Sequence, residues 1–147
     1  QGGYIAGEGI VIDAIRSVAS GFIFTTSTSP VICAGALAAI KYLKDHNDLR
    51  VQHQERAKKL KQMLKDVDIE VLDVACTHIV PVMIRDAKRC KEYSDELLNE
   101  YGIYIQPINY PTVPEGTERL RIAPTPMHTD AMMSDLVDAL VKVIRKE

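Results

Sequence analysis

The densest run of hydroxyls in the chain is Thr25-Thr26-Ser27-Thr28-Ser29, directly before Pro30. Ser29 suits a helix N-cap and Pro30 the first helical position. Free backbone N–H groups and the positive end of a helix dipole favour an anion there, and hydroxyls add donors, so the run could hold a phosphate. A Thr/Ser-rich turn with one cap would use the same residues. Arg119 and Arg121 alternate around Leu120. On a strand they share one face, and a pair of guanidinium groups could grip a carboxylate. Two ion-paired surface arginines would read identically. Between these features runs Ile108-Asn109-Tyr110-Pro111-Thr112-Val113-Pro114-Glu115-Gly116. Proline stiffens this loop, which could present Asn109, Tyr110 and Thr112 to a ligand at little ordering cost; a plain connection is the other reading. His46, His53, His78 and His128 have no metal-ligand spacing, and His78 reads as a structural residue at a strand start. The basic run between Arg50 and Lys65 is most simply a solvated helix face. No Ser/His/Asp set, Walker loop or zinc pattern is present.

Periodicity supplies the elements that must position these residues. Tyr4 to Ala6 is expected as a short strand, and Ile10 to Val18 as a helix with Val11, Ile12, Ile15 and Val18 on one face. Residues 20–29 form a loop. From Ser29 to about Leu43 a helix is apolar nearly all round, with Cys33, Ala34, Gly35, Ala36, Ala38 and Ala39 small enough for close approach. That pattern predicts a buried helix. A second helix runs from Leu49 to about Lys65 with Leu49, Ala57, Leu60 and Leu64 inward. Strands are expected over Ile69–Leu72 and His78–Ile84, the latter with Pro81 at an edge or bulge. Asp86 caps a helix carrying Cys90, Tyr93, Leu97 and Tyr101 inward, and Gly102 ends it. Ile103–Gln106 and Arg119–Ala123 are further strands, separated by the loop 107–118. Thr129 caps a last helix with Met132, Met133, Leu136, Leu140, Val143 and Ile144 inward. Short strands in one layer and helices in another give an α+β sandwich.

The chain has 147 residues, 18 Lys and Arg against 20 Asp and Glu, and a net charge of −2. That balance excludes a strongly basic nucleic-acid binder as the default. No apolar run approaches the ~18 residues of a membrane span. Three scattered cysteines (Cys33, Cys76, Cys90) without a C-x-x-C pair read as reduced, buried thiols. Only Glu8, Asp13 and Arg16 are charged in residues 1–40, so that segment is expected to be buried, and the remainder to be a solvated domain. The opening Gln1-Gly2-Gly3-Tyr4-Ile5-Ala6-Gly7 reads as a strand already in progress, as in the C-terminal part of a longer chain.

Five ordered motifs narrow this further: Gly2-Gly3-Tyr4-Ile5-Ala6, Gly21-Phe22-Ile23-Phe24-Thr25-Thr26-Ser27, His78-Ile79-Val80-Pro81-Val82, Ile108-Asn109-Tyr110-Pro111-Thr112-Val113-Pro114, and Arg119-Leu120-Arg121-Ile122-Ala123-Pro124-Thr125-Pro126. Together they resemble the α-oxoamine synthase family, in its 5-aminolevulinate synthase branch, along essentially the whole chain. Thr28 departs from the Leu expected after Thr-Thr-Ser, and Thr77 from the Ser expected before His78.

The resemblance implies the C-terminal portion of a fold-type I pyridoxal 5'-phosphate (PLP)-dependent transferase, an α/β fold. Residues 1–45 would be the end of the large PLP-binding domain and a connecting helix. Residues 46–147 would be the small α+β domain, a short antiparallel sheet covered by helices. It implies an acyltransferase condensing glycine with succinyl-CoA to 5-aminolevulinate, with release of CoA and CO2, at the start of tetrapyrrole and haem biosynthesis. PLP would be the cofactor, and a homodimer would place the active site at the subunit interface. Thr25 and Thr26 match a loop reaching the PLP phosphate of the neighbouring subunit. Arg121 matches the arginine that binds the substrate carboxylate, and Thr112 a threonine near the succinyl carboxylate; Asn109 lies in the same loop. No catalytic residue and no metal ligand is assigned within this chain. The Schiff-base lysine would lie upstream of Gln1, since Lys41 and Lys44 sit in a helix and do not match it, and the isolated chain would be inactive. Localisation would be cytoplasmic in a bacterium and the mitochondrial matrix in a eukaryote. The alternatives are a related synthase using a different acyl-CoA, and a non-catalytic binding or interaction module.

Overall fold

The computed structural model describes residues 3–72 and 77–146. In chain order the elements are α1 (Gly9–Val18), α2 (Ser20–Ile23), α3 (Pro30–Asp45), α4 (Asn47–Asp66), β1 (Val80–Met83), α5 (Ala87–Tyr101), β2 (Gln106–Ile108), β3 (Arg119–Ile122) and α6 (Asp130–Ile144). They group into two units, Gln1–His46 and Asn47–Glu147.

In the second unit the sheet order is β1-β3-β2, antiparallel throughout. Val80 pairs with Ile122 and Val82 with Leu120, so these four side chains share the face that enters the core. Helices cover that face. Polar α4 buries one stripe, Ala57, Leu60 and Leu64, at helical spacing. Buried Cys90 and Leu97 come from α5, and Met133, Leu136, Val137, Leu140 and Val143 from α6. Lys59 Nζ on α4 meets Asp130 Oδ2 at the start of α6 at 2.8 Å, and Arg56 meets the same carboxylate. The helix ends follow local chemistry. Asp86 accepts from the Arg89 N–H at 2.8 Å and Thr129 from the Met132 N–H at 3.2 Å. Gly102, at φ 66°, stops α5, and the Ile103 N–H closes on the Leu97 carbonyl at 2.9 Å.

Several expected strands are shorter or displaced. Ile69–Leu72 makes only a bridge, Val71 opposite Val82, with Leu72 N donating to Pro81 O and Met83 N to Glu70 O. Pro81 sits on an edge strand, where no ladder donor is lost. The strand expected at Ile103–Gln106 instead starts at Gln106: the Ile103 N–H belongs to the helix cap, and the Ile105 carbonyl accepts from Ser94 Oγ at 2.7 Å. Met132 is exposed rather than inward, because it lies beside the stripe set by Met133, Leu136 and Leu140. Tyr93 and Tyr101 are only half-buried.

In the first unit the helices form, but the expected burial does not. Neither α1 nor α3 has a buried residue, and Val31 is 80% exposed. Within the unit α1 packs on α2, whereas α3 packs on neither. The small residues of α3 permit close approach without themselves supplying a neighbour. Tyr4–Ala6 is not a strand, since no described strand in its unit pairs with it. Cys33 is exposed, against the expectation of a buried thiol, whereas Cys90 is buried. Gln1, Gly2 and Cys76, and with them part of the first motif, lie outside the described residues.

Leu120 is fully buried at the centre of the sheet, so Leu120→Ala should cost about 2–5 kcal/mol in urea unfolding. The apolar surface of the first unit, with Ile10 87% and Phe24 86% exposed, should make the isolated chain self-associate. A concentration-independent monomer in sedimentation equilibrium would contradict this.

Candidate functional site

The hydroxyl run of the first unit follows α2 and enters α3 in irregular backbone, with Thr25 to Ser29 exposed. Ser29 Oγ accepts from Ile32 N at 3.5 Å, and Ser29 O from Cys33 N at 3.0 Å. Pro30 has no N–H. The end of α3 has therefore already committed two of its first-turn donors. An anion here would depend on the threonine hydroxyls more than on the bare helix terminus. Thr25 and Thr26 are placed for that, being exposed and a few residues before the cap.

In the second unit Leu120 and Ile122 point into the core, which turns Arg119 and Arg121 to the opposite face, as the alternation predicts. The two are not equivalent. Arg119 is half-buried and its Nε donates to the Thr117 carbonyl at 2.8 Å. Arg121 is exposed, and its guanidinium pairs with no carboxylate among the described residues. The expected two-arginine fork is thus one available guanidinium, Arg121, beside an Arg119 bonded back to the chain.

The loop after β2 is built differently from a simple presenting arm. Asn109 is half-buried and spends its Nδ2 on the Ala87 carbonyl, 3.1 Å away at the start of α5. Its backbone carbonyl accepts from Thr112 N at 2.9 Å. The Tyr110–Pro111 bond is cis. Thr117 Oγ1 donates to Pro114 O at 2.7 Å, closing the far end. Asn109 anchors the loop, and of the three candidate side chains Tyr110 and Thr112 are the exposed ones.

Sequence spacing missed a histidine pair. His53 on α4 and His78 before β1 meet with ring centroids 4.4 Å apart and their planes tilted by 41°. His53 Nε2 donates to the Pro124 carbonyl at 2.8 Å, just past β3. Burial first, then the neighbouring His53 and Arg121, hold His78 below the usual imidazole range. The two histidines are 25 positions apart, and the packing of α4 beside β1 brings them together. Beside Arg121 opens a cavity of about 400 Å³, largely apolar, whose polar lining includes Tyr101, Tyr104, His128 and Asp135. His128 Nδ1 accepts from the Thr125 N–H at 2.9 Å, which leaves Nε2 to carry the ring proton when neutral. Among the described residues no group of three or more metal-ligating side chains forms, and no helix is long and apolar enough to cross a membrane.

The chain thus carries one guanidinium on the open face of its sheet and a hydroxyl-rich helix entrance in its first unit. Residues 1–140 match the aminotransferase class I and II family, to which this chain belongs. Along 142 residues, 97% of the chain, it is 54% identical to the 5-aminolevulinate synthase of Bradyrhizobium diazoefficiens, and along 140 residues 55% identical to that of Rhizobium meliloti. The chain spans about a third of the length of these relatives, 34% in each case. Among solved structures, a serine palmitoyltransferase from S. paucimobilis, holding PLP and myriocin, superimposes over 91% of this chain and 34% of its own, with a TM-score of 0.78 and 26% identity. The fold is the expected C-terminal portion of the fold-type I architecture, with a short antiparallel sheet under helices.

Because the folded state holds His78 neutral, the unfolded chain binds the extra proton first. Stability attributable to His78 is complete above its ordinary value near 6.5 and is lost as pH falls below it through the depressed folded value. Thermal melts between pH 8 and 5 should show this loss, and His78→Gln should flatten the profile.

Proposed function

We propose that the chain is the C-terminal part of a PLP-dependent acyltransferase that condenses glycine with succinyl-CoA to 5-aminolevulinate, releasing CoA and CO2, at the start of tetrapyrrole and haem biosynthesis. The observation that carries this reading is identity above one half to 5-aminolevulinate synthases along nearly the whole chain. In this reading residues 1–45 close the large cofactor-binding domain, and residues 46–147 form the small domain.

The side chains have chemistry suited to those roles. Arg121 is an always-charged planar donor with no carboxylate partner of its own, so it binds and orients the substrate carboxylate. Its neighbour Arg119, tied to Thr117, leaves it uncontested. Thr112 offers an exposed hydroxyl to the distal carboxylate of the succinyl group, and so favours succinyl over plain acyl chains. Asn109 fixes the loop from which Thr112 projects. Thr25 and Thr26 donate to the cofactor phosphate of the neighbouring subunit in a homodimer whose active site lies at the interface. Exposed hydroxyls near a helix entrance are a donor set that fits a phosphate. PLP, when bound, supplies the electron sink for the pair released at the glycine Cα. The isolated chain carries no residue matched to the cofactor lysine and is inactive. Localisation follows the host, cytoplasmic in a bacterium and the mitochondrial matrix in a eukaryote.

In the intact enzyme, Arg121→Lys should lower kcat/KM for glycine about 10- to 100-fold, the scale of a lost charge-assisted hydrogen bond. Thr112→Ala should raise KM for succinyl-CoA and narrow its advantage over butyryl-CoA. Equal rates with succinyl-CoA and butyryl-CoA in the unaltered enzyme would move the assignment to a related synthase with a different acyl donor.

A further inference from the structure

A carboxylate has about four lone-pair positions, and one bidentate guanidinium meets two of them. Arg121 therefore leaves room for another donor on the same ligand, and Arg119 is bonded back to the Thr117 carbonyl. The strand register names the residues that stand directly beside Arg121. On β1 its partner is Pro81, which has no polar side chain, and on β2 it is Gln106. Directly opposed residues of an antiparallel pair share one face, with Cβ atoms about 4.5–5.5 Å apart. Gln106 and Arg121 are both exposed there, on the face opposite Leu120.

The Gln106 amide is held, and from its own side of the sheet. Tyr104, two residues earlier, donates its hydroxyl to Gln106 Oε1. Gln106 Nε2 donates to the Pro107 carbonyl at 3.3 Å. That carbonyl can only accept, so the amide nitrogen lies on it and the amide oxygen meets Tyr104. The amide has two N–H groups, and one of them has no partner among the described residues. Neither bond crosses to β3, so the amide is not spent on joining the strands. A neutral donor suits this position. An acidic side chain beside Arg121 would pair with it and close it to a ligand, and a basic one would repel it.

We infer that Gln106 is a second substrate-binding residue, its side-chain amide donating beside the Arg121 guanidinium to the carboxylate of glycine, with Tyr104 as the positioning residue that holds the amide in its donating orientation. The inference rests on the assignment of Arg121 to the substrate carboxylate. It also gives a role to the Tyr104 hydroxyl, which is bonded to a neighbouring amide although the residue is 66% exposed.

Steady-state kinetics of the intact enzyme, with glycine titrated against the absorbance of its bound cofactor as a second readout, tests this. Gln106→Leu keeps the bulk and removes the donor. It should raise KM and Kd for glycine about 10-fold, with kcat and KM for succinyl-CoA unchanged. Gln106→Glu should weaken glycine binding further, because the new carboxylate occupies Arg121. Tyr104→Phe should give a smaller rise of the same kind, about 3-fold, which Gln106→Leu abolishes in the double variant. Unchanged glycine binding in Gln106→Leu, while Arg121→Lys remains impaired, would overturn the inference and leave the Arg121 assignment standing. Unimpaired glycine binding in Arg121→Lys would remove the assignment itself. A Gln106→Leu enzyme with lowered Tm and equal losses for both substrates would mark Gln106 as structural, and would overturn the inference as well.

Discussion

β3 is bonded on both sides, to β1 through Val80–Ile122 and Val82–Leu120 and to β2 through Gln106–Arg121 and Ile108–Arg119. A strand so held cannot slip by one residue without exchanging its faces, which would bring Arg119 and Arg121 into the core and expel Leu120. The hydrophobic packing of Leu120 and Ile122 against α4, α5 and α6 thus fixes where the Arg121 guanidinium points. Burial on one face enforces the chemistry available on the other. The same strand sets the far end of the Pro-rich loop, since Thr117 and Glu118 precede it directly.

The parts of this arrangement that the sequence discloses are those decided within a few residues. Ser29, Asp86 and Thr129 cap helices because a short side-chain acceptor and a nearby N–H are local facts. Gly102 ends α5 because a left-handed residue is required there. The alternation around Leu120 is equally local. Boundaries set by competition were not legible. Ile103 is apolar and β-branched, yet its N–H is claimed by the helix before it. Arg119 and Arg121 look alike until the Thr117 carbonyl distinguishes them. The His53–His78 contact depends on α4 lying beside β1, and Glu118 reads as an ordinary loop charge until its burial is seen.

The first unit teaches the complementary lesson. Its helices follow from capping and periodicity, and α3 starts where Ser29 and Pro30 predict. Burial is a property of neighbours, however, and composition announces only an appetite for them. Charge-poor residues 1–40 expose Tyr4, Ile10, Phe24 and Val31 in this chain. Helix formation and helix burial are separate inferences, and only the first was contained in the local pattern.

The two prolines of the sheet have a consequence for the company the molecule keeps. Val80 and Val82 bond inward to β3, so Pro81 and Met83 turn their backbone outward. Pro81 has no donor there, its carbonyl is taken by Leu72, and the Met83 N–H is taken by Glu70. On the far side Gln106 and Ile108 face β3, so Pro107 faces out, again without a donor, and Ser94 occupies the Ile105 carbonyl beside it. Among the described residues, neither margin offers the row of unsatisfied N–H groups that would template an extended segment from another molecule. A three-stranded sheet this small would otherwise be open to growth by intermolecular strand addition; here both borders are closed to it by a ring that costs the native ladder nothing.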